Sequence, residues 1–200
     1  MKNLFEMNDK SVIDNLLDEI HYGVLAISSK NRPYSLPLNF VKIGTCIYFH
    51  GSKKGRKTEI LKENSFASLS IVKTYSLIAS YMSSNDGLAC PATQFFQSVI
   101  IDGEIEFVAK YEEKTEALEA LMQKLQSDGG YKALNEAVYT KMIDATTVYK
   151  LVPNEIRAKF KFGQHLTQER FEMILQHLKA RNNEVDRQTL MVMEELRDGI

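Results

Sequence analysis

Two strand-like segments joined by a very short connection place the strongest constraint on the fold of this chain. Tyr34 to Lys42 and Cys46 to His50 are rich in aromatic and β-branched residues, and only Ile43-Gly44-Thr45 separates them. Parallel strands need a crossover of a dozen or more residues, so this connection predicts an antiparallel hairpin. Pro37 lies inside the first segment and lacks a backbone N–H, which predicts an edge strand or a bulge there.

The remaining pattern adds strands and helices without a regular βαβ alternation. Six or seven short-connected strands, with helices at the start, middle and end, predict an α+β domain on an antiparallel sheet that closes into a barrel. A doubly wound nucleotide-binding fold is disfavoured. The predicted strands are 24–28, 34–42, 46–50, 66–72, 97–108, 146–152 and 155–162. The predicted helices are one capped by Asp9 or Ser11 with its apolar face between Val12 and Ile20, 54–62, 112–126, 131–139, one capped by Thr167 and one from about Asp186, and residues 74–96 are predicted to be irregular.

Composition excludes several classes of protein. The 200 residues are 44% apolar and 26% charged, and a formal net charge of −1 argues against a nucleic-acid binder held by overall charge. No apolar run approaches the roughly 18 residues of a membrane helix, and the first ten residues lack a signal-peptide core. Cys46 and Cys90 are isolated, so we expect free thiols, no metal site, no membrane association and a cytoplasmic protein.

A cluster of cations follows the predicted hairpin directly. Lys53, Lys54, Arg56 and Lys57 fall within five residues, next to glycines and before a helical pattern. Free backbone N–H groups, a helix N-terminus and cations all favour a phosphate. The segment is not a P-loop, because Gly51 and Gly55 are separated by three residues rather than four, and Arg56 follows the second glycine. The cluster predicts a local anion site, with a solvated charge cluster as the alternative.

His50 ends the strand immediately before this loop. Nearby cations would lower the pKa of its imidazole and leave it neutral near pH 7, able to donate one hydrogen bond. A packed or surface residue is the alternative interpretation. The other histidines, His21, His165 and His177, show no metal-ligand spacing, and no catalytic Ser/His/Asp or Cys/His arrangement is evident.

Short motifs follow one another along residues 10–180 in an order typical of a known family. They are Asn31-Arg32-Pro33-Tyr34, Pro37-Leu38-Asn39-Phe40, Tyr48-Phe49-His50-Gly51 and Gly55-Arg56-Lys57, followed by Gln97-Ser98-Val99, Asp102-Gly103-Glu104, Lys159-Phe160-Lys161 and Gly163-Gln164. In this order and spacing the chain resembles the FMN-binding split-barrel flavoproteins. These form the pyridoxamine phosphate oxidase superfamily, and the resemblance is to its nitroimidazole-resistance reductase branch.

The resemblance implies a six-stranded antiparallel split β-barrel with peripheral helices and a C-terminal helical pair. Residues 1–165 would form the FMN-binding barrel, and residues 166–200 would form a helical extension packed on it. It also implies a homodimer with FMN in two clefts at the subunit interface, acting on a small-molecule substrate.

Residue roles follow from the resemblance by position. Arg56 and Lys57 would hold the FMN phosphate, and the isoalloxazine would lie along the segment from Pro37 to Phe40. His50 would lie between phosphate and ring, which makes it the candidate catalytic residue. The further expected cofactor contacts are Leu38, Asn39, Ser52, Lys53, Lys54 and Gly55 near these positions, and Gln97 and Ser98 from the partner subunit or a neighbouring strand.

Two departures narrow the expected activity. The chain has no Trp and lacks the Arg-Leu-His-Arg type of C-terminal signature that binds the substrate in the oxidase proper, so pyridoxamine phosphate oxidation is not expected. We expect an FMN-dependent oxidoreductase that reduces a small, nitroaromatic-like molecule. A flavin-, haem- or deazaflavin-binding protein with little turnover stays open as an alternative, with His165 and His177 as the haem candidates.

Overall fold

The computed structural model describes residues 3–198, and this range forms eight strands and six α-helices. The strands are β1 (Glu6–Met7), β2 (Tyr22–Ser29), β3 (Arg32–Asn39), β4 (Val41–Ile43), β5 (Cys46–Gly51), β6 (Phe66–Ile78), β7 (Thr93–Phe107) and β8 (Thr147–Lys161). The helices are α1 (Lys10–Glu19), α2 (Arg56–Glu63), α3 (Tyr111–Leu125), α4 (Thr140–Ala145), α5 (Gln168–Arg181) and α6 (Glu184–Asp198). Short 3₁₀ turns cover Asn3–Phe5, Ser80–Met82 and Ala137–Tyr139.

All eight strands belong to one sheet with the order β3-β2-β6-β7-β8-β5-β4, and β1 pairs with β8 beside this path. The predicted hairpin is confirmed as β4–β5, which pair antiparallel from Val41 opposite Tyr48 to Ile43 opposite Cys46. β3 ends the strand order, so Pro37 lies on an edge strand as predicted. β3 and β4 are the first and last strands of this order, and a single residue, Phe40, connects them along the chain.

The α+β class with an antiparallel sheet is confirmed, whereas the expected count of six strands is wrong. The predicted strand 34–42 is interrupted at Phe40 and forms two strands, and β1 precedes the first helix. The predicted strands 146–152 and 155–162 form the single strand β8. Pro153 lies beyond the ladder between β8 and β5, which ends at Leu151, so its missing N–H removes no bond of that ladder.

Two other local predictions are corrected. The predicted helix 131–139 is absent from the described chain at that position, where a 3₁₀ turn at Ala137–Tyr139 leads into α4 instead. Residues 74–96 are only partly irregular, because β6 continues to Ile78 and β7 begins at Thr93. Buried side chains such as Tyr75 and Ile78 hold this part of β6 in place, although polar neighbours hide the strand pattern in the sequence.

The chain divides into two compact units, and long strands run through both. The first unit contains Met1–Asn8, Val72–Ser98 and Ala158–Ile200, and the second contains Asp9–Ile71 and Val99–Arg157. Helices α5 and α6 therefore belong to the first unit together with β1. The predicted boundary between residues 165 and 166 stays a prediction.

In the second unit, α3 packs against the β4–β5 hairpin. Ala117 and Leu121 contact a buried cluster that includes Val41 and Tyr48. Near the end of the same helix, the Lys124 ammonium donates a hydrogen bond of 2.6 Å to the Leu17 carbonyl, and its Nζ lies 4.0 Å from the centre of the Phe40 ring. The segment between β3 and β4 is therefore covered by α3.

In the first unit, a buried polar network attaches the α5–α6 pair to β6. Asp186 is fully buried and accepts hydrogen bonds from the Arg181 guanidinium at 2.6 and 2.7 Å and from the Ser76 hydroxyl at 2.6 Å. The Ser76 amide donates to the Thr189 hydroxyl at 3.0 Å. Asn182 ends α5 in the left-handed conformation, so the predicted break between the two helices is confirmed. Within the described residues, neither of these helices nor any other is both long and apolar enough to cross a membrane.

Candidate functional site

The junction between β5 and α2 presents helix N–H groups that no side chain caps. Gly55 is the N-cap of α2 and has φ of +120° and ψ of 169°, a conformation that favours glycine strongly. No side chain accepts a hydrogen bond from the first turn of α2. These N–H groups and the positive end of the helix dipole are therefore available to an anion.

The hydroxyl groups of Thr58 and Tyr149 hold the start of the loop between β5 and α2. The Thr58 hydroxyl lies 3.1 Å from the Ser52 carbonyl oxygen and 2.7 Å from the Tyr149 hydroxyl, which is itself 3.3 Å from that carbonyl. Two hydroxyl protons serve these three contacts, so the Ser52 carbonyl always accepts one of them. Burial raises the pKa of Tyr149, which keeps its proton in place. The start of the loop is thus held by two elements, by α2 through Thr58 and by β8 through Tyr149.

The Lys57 side chain is half-buried and passes beside the backbone of Gly51. Its Nζ lies 4.5 Å from the centre of the Tyr149 ring and 5.3 Å from that of Phe49, and it donates a long hydrogen bond of 3.5 Å to the His50 carbonyl. A Cβ at Gly51 would collide with this ammonium group, so a larger residue there would displace the Lys57 side chain from this position. Burial lowers the pKa of Lys57, and an anion beside it would oppose that effect.

Arg56 connects the loop to β3. Its guanidinium lies 4.4 Å from the centre of the Tyr34 ring, which is a cation–π contact. Lys53 and Lys54 are exposed. Within residues 3–198, none of the four cations is engaged in an ion pair. The predicted cluster therefore lies around one helix terminus, where Glu59 is an acidic residue of the first turn but forms no ion pair with it among the described residues.

His50 lies at the end of β5, beside this cluster. The residue is exposed in the single chain, yet surrounding atoms desolvate its ring, and its pKa is lowered first by this desolvation and then by the charge of Lys57. The sequence predicted this direction, but from the neighbouring cations alone. A neutral imidazole at neutral pH has one N–H donor and one acceptor nitrogen.

The candidate ring-binding segment lies on β3. Pro37 and Asn39 are exposed, Leu38 is half-buried, and the Asn39 amide donates a hydrogen bond of 2.9 Å to the His21 carbonyl. Because β3 is an edge strand, alternate residues direct both backbone groups away from β2. Phe40 differs from its neighbours, since its ring is fully buried beneath Lys124 and only its backbone is positioned to contact a ligand.

Gln97 and Ser98 lie on β7 in the first unit, whereas the other candidate residues lie in the second. Gln97 is buried, and its side-chain oxygen accepts a hydrogen bond of 3.2 Å from the Tyr75 hydroxyl. The Ser98 hydroxyl donates to the Lys159 carbonyl at 3.4 Å. Both side chains thus have partners within their own unit.

The histidines proposed as haem candidates also lie in the first unit. His165 packs edge-on against Phe5 with ring centres 5.3 Å apart and lines a cavity. His177 packs against Tyr81 with ring centres 5.6 Å apart and does not line that cavity. Across residues 3–198, no group of three or more His, Cys, Asp or Glu side chains is arranged to hold a metal ion.

Three residues of this site were not singled out from the sequence. Thr58 follows the cation cluster directly, and its position at the start of a helix was the available signal. Tyr34 was named only as part of a motif and was given no role, yet its ring contacts Arg56. Tyr149 stacks on Phe49 with ring centres 5.0 Å apart, and no local pattern marks it, because the strand that carries it lies about a hundred residues from the loop.

Comparisons with known proteins place this geometry in a family. The chain matches the family model described as pyridoxamine 5'-phosphate oxidase over residues 9–160. No curated protein matches the sequence significantly.

Several solved structures share the fold at low sequence identity. A Bacteroides thetaiotaomicron protein assigned to 5-nitroimidazole antibiotic resistance is 21% identical, with a TM-score of 0.63 over 77% of this chain and 85% of that chain. The FAD and heme binding protein from Mycobacterium smegmatis is 21% identical, with a TM-score of 0.65 over 78% and 73% of the two chains. The flavocytochrome Anf3 from Azotobacter vinelandii is 24% identical, with a TM-score of 0.65 over 78% and 69%.

The family model covers well over half of the chain, and the solved structures share its fold. The resemblance inferred from the motif order is confirmed. The chain belongs to the pyridoxamine 5'-phosphate oxidase family.

Proposed function

We propose that this protein is an FMN-binding flavoprotein that acts as an oxidoreductase on a small, nitroaromatic-like molecule. The observation that carries the proposal is the uncapped N-terminus of α2, surrounded by four cations without ion-pair partners. The family match and the FAD- or haem-binding relatives with the same fold support a flavin as the ligand. The chemistry that FMN supplies when bound is the transfer of electrons to and from the substrate.

The residues present fit the phosphate end of FMN. Arg56 and Lys57 follow Gly55 at the helix terminus, and Lys53 and Lys54 lie on the preceding loop. The hydroxyls of Thr58 and Tyr149 hold the Ser52 carbonyl, so the loop is ordered before a ligand arrives. A preformed loop reduces the entropy lost on binding, which favours affinity.

The ring end of FMN would lie along β3. Arg56 rests on Tyr34, which brings the phosphate loop next to the strand that carries Pro37 and Asn39. From Tyr34 to Asn39 the strand advances about 17 Å, which gives an extended flavin room to reach the free backbone edge. Backbone groups of Leu38 and Asn39 would orient the polar edge of the ring.

His50 would act between these two ends. As a neutral imidazole it would donate a hydrogen bond to the cofactor or substrate, or hold a proton for transfer at one ring nitrogen. Gln97 and Ser98 would contact the cofactor from a second subunit or from their own.

We further propose that the protein is a homodimer, since exposed apolar side chains such as Tyr22 and Val24 lie along β2.

The proposal is tested by titrating FMN into the purified protein and following flavin absorbance and fluorescence. We expect micromolar binding, and Arg56→Ala and Lys57→Ala should each weaken it by about 1.5–3 kcal/mol, or roughly tenfold to a hundredfold. Lys110→Ala is the matched control, because Lys110 is an exposed lysine before another helix of the same unit and should leave affinity unchanged. Absence of flavin binding, or equal losses in all three variants, would contradict a phosphate site at this loop.

The haem alternative is favoured by one observation, the position of His165 on a cavity wall. Haem titration would then produce a Soret band that His165→Ala abolishes and His177→Ala retains. Extraction of the bound cofactor followed by mass spectrometry separates FMN, a deazaflavin and haem in a single measurement.

A further inference from the structure

The first unit contains a cavity of about 560 Å³. None of its lining residues belongs to the loop between β5 and α2 that carries the cation cluster. This volume lies in the range of small-molecule sites. One wall is the connection between β6 and β7, with residues from Ser83 to Thr93, and the other is formed by the end of β8 and the start of α5. The sequence had left this connection without a role.

Two cations from different elements line this cavity. Lys161 lies at the end of β8, and Arg170 lies in the first turn of α5. Within the described chain, no carboxylate approaches either side chain within ion-pair distance. Asp86 also lines the cavity; its carboxylate accepts a hydrogen bond of 2.9 Å from the Leu88 amide, which with Ser84 and the charge of Arg170 lowers its pKa, so Asp86 neutralises part of the positive charge without forming an ion pair.

Both cations keep hydrogen-bond donors that the protein does not use. Arg170 donates from Nε to the Ser83 carbonyl at 2.7 Å and from Nη2 to the Ser83 hydroxyl at 3.4 Å. Two of its five N–H groups are thus engaged, which leaves three. Lys161 donates to the Thr93 hydroxyl and retains two more N–H groups. Ser83 is buried, so the position of the guanidinium is fixed by a rigid partner.

The rest of the cavity wall combines polar side chains, such as His165 and Thr167, with an apolar part. The apolar side chains include Leu88, Pro91, Leu166 and Ile174. A wall with free charged donors on one side and apolar surface on the other is complementary to an oxyanion carried by an organic group. Burial, and then the charge of Lys159, lower the pKa of Lys161, and a bound anion would offset both effects.

We propose that this cavity is a second binding site, specific for a small organic anion whose phosphate or carboxylate group contacts Lys161 and Arg170. The site goes beyond the proposed FMN function, since its residues lie in the first unit and the FMN phosphate loop lies in the second. It would accommodate a substrate or effector with one oxyanion group and an apolar body.

The test is isothermal titration calorimetry, in which phenyl phosphate, benzoate and inorganic phosphate are each titrated into the FMN-saturated protein. Phenyl phosphate or benzoate should bind more tightly than inorganic phosphate, because the apolar wall contacts the ring. The tighter of the two identifies the oxyanion as a phosphate or a carboxylate. Lys161→Met and Arg170→Met should each weaken binding about tenfold to a hundredfold. Lys179→Met, an exposed lysine on the same helix α5, should have no effect.

Two further variants separate this site from folding defects and from the FMN loop. Ala92→Phe enlarges an exposed residue of the cavity wall and leaves both cations in the chain, so it should weaken binding even if Arg170→Met destabilises the chain by releasing Ser83. Arg56→Ala should weaken FMN binding and leave phenyl phosphate binding intact. Equal affinity for inorganic phosphate, no heat at millimolar ligand, or binding that depends on Arg56 rather than Lys161 would each overturn the proposal.

Discussion

At the scale of single residues, Lys124 combines burial with a positive charge. Its ammonium group donates to the Leu17 carbonyl and lies over the Phe40 ring, and no acidic side chain forms an ion pair with it within the described residues. Burial lowers the pKa of Lys124 to about 8, with a small opposing effect of Asp18. The unfolded chain therefore binds more protons than the folded protein between this value and the usual lysine range.

The free energy of unfolding should rise with pH over this window, because the cost of burying the charge disappears as Lys124 loses its proton. Urea unfolding at about pH 7 and about pH 10 should show this rise in the wild type and a smaller one in Lys124→Met. Lys179→Met keeps Lys124 and should retain the wild-type pH dependence. An identical pH response in Lys124→Met and wild type would show that Lys124 stays charged throughout.

At the scale of secondary-structure elements, the sequence predicted what depends on neighbouring residues. The β4–β5 hairpin, the cation cluster before α2 and the Thr167 cap of α5 all follow from short-range patterns. Local patterns could not show that β8 continues through Pro153, since that depends on where its pairing with β5 stops. Likewise, Tyr149 contributes to the candidate site only because β8 pairs beside β5.

The attachment of the α5–α6 pair to β6 depends on one buried carboxylate. Asp186→Asn should lower the free energy of unfolding by about 2–3 kcal/mol, because Arg181 and Ser76 lose a charged partner. Chemical denaturation measures the loss, and Glu184→Gln, which changes an exposed acid in the same helix, should leave the free energy of unfolding unchanged.

Hydrogen bonds from Arg181 hold the pKa of Asp186 below its usual range. The contribution of Asp186 to the free energy of unfolding is therefore present above that range and lost as the pH falls through the lowered pKa. If the wild type and Asp186→Asn lose the same amount of stability as the pH is lowered, Asp186 does not make this contribution.

At the scale of the whole molecule, the proposed homodimer would bury apolar residues on the exposed face of β2. Val24 is 41% exposed in the single chain, although it lies in the middle of a sheet strand. Sedimentation at micromolar concentration should give about twice the 22.8 kDa chain mass, and Val24→Glu should shift the protein towards monomer by placing a charge in the interface. Leu125→Glu is the control, since Leu125 is 40% exposed on α3. A wild-type monomer that binds FMN tightly would rule out the dimer.

The contacts of the loop between β5 and α2 have a consequence for the order in which the chain folds. β5 pairs with β4 on one side, but its other neighbour is β8, and the hydroxyl of Tyr149 reaches a carbonyl 97 residues earlier in the chain. During synthesis the loop is exposed long before the strand that holds it has been made, and a contact this distant forms slowly. Cofactor binding should therefore be a late event in biogenesis, and a nascent chain that ends before β8 should carry the complete cation cluster without the ability to retain FMN.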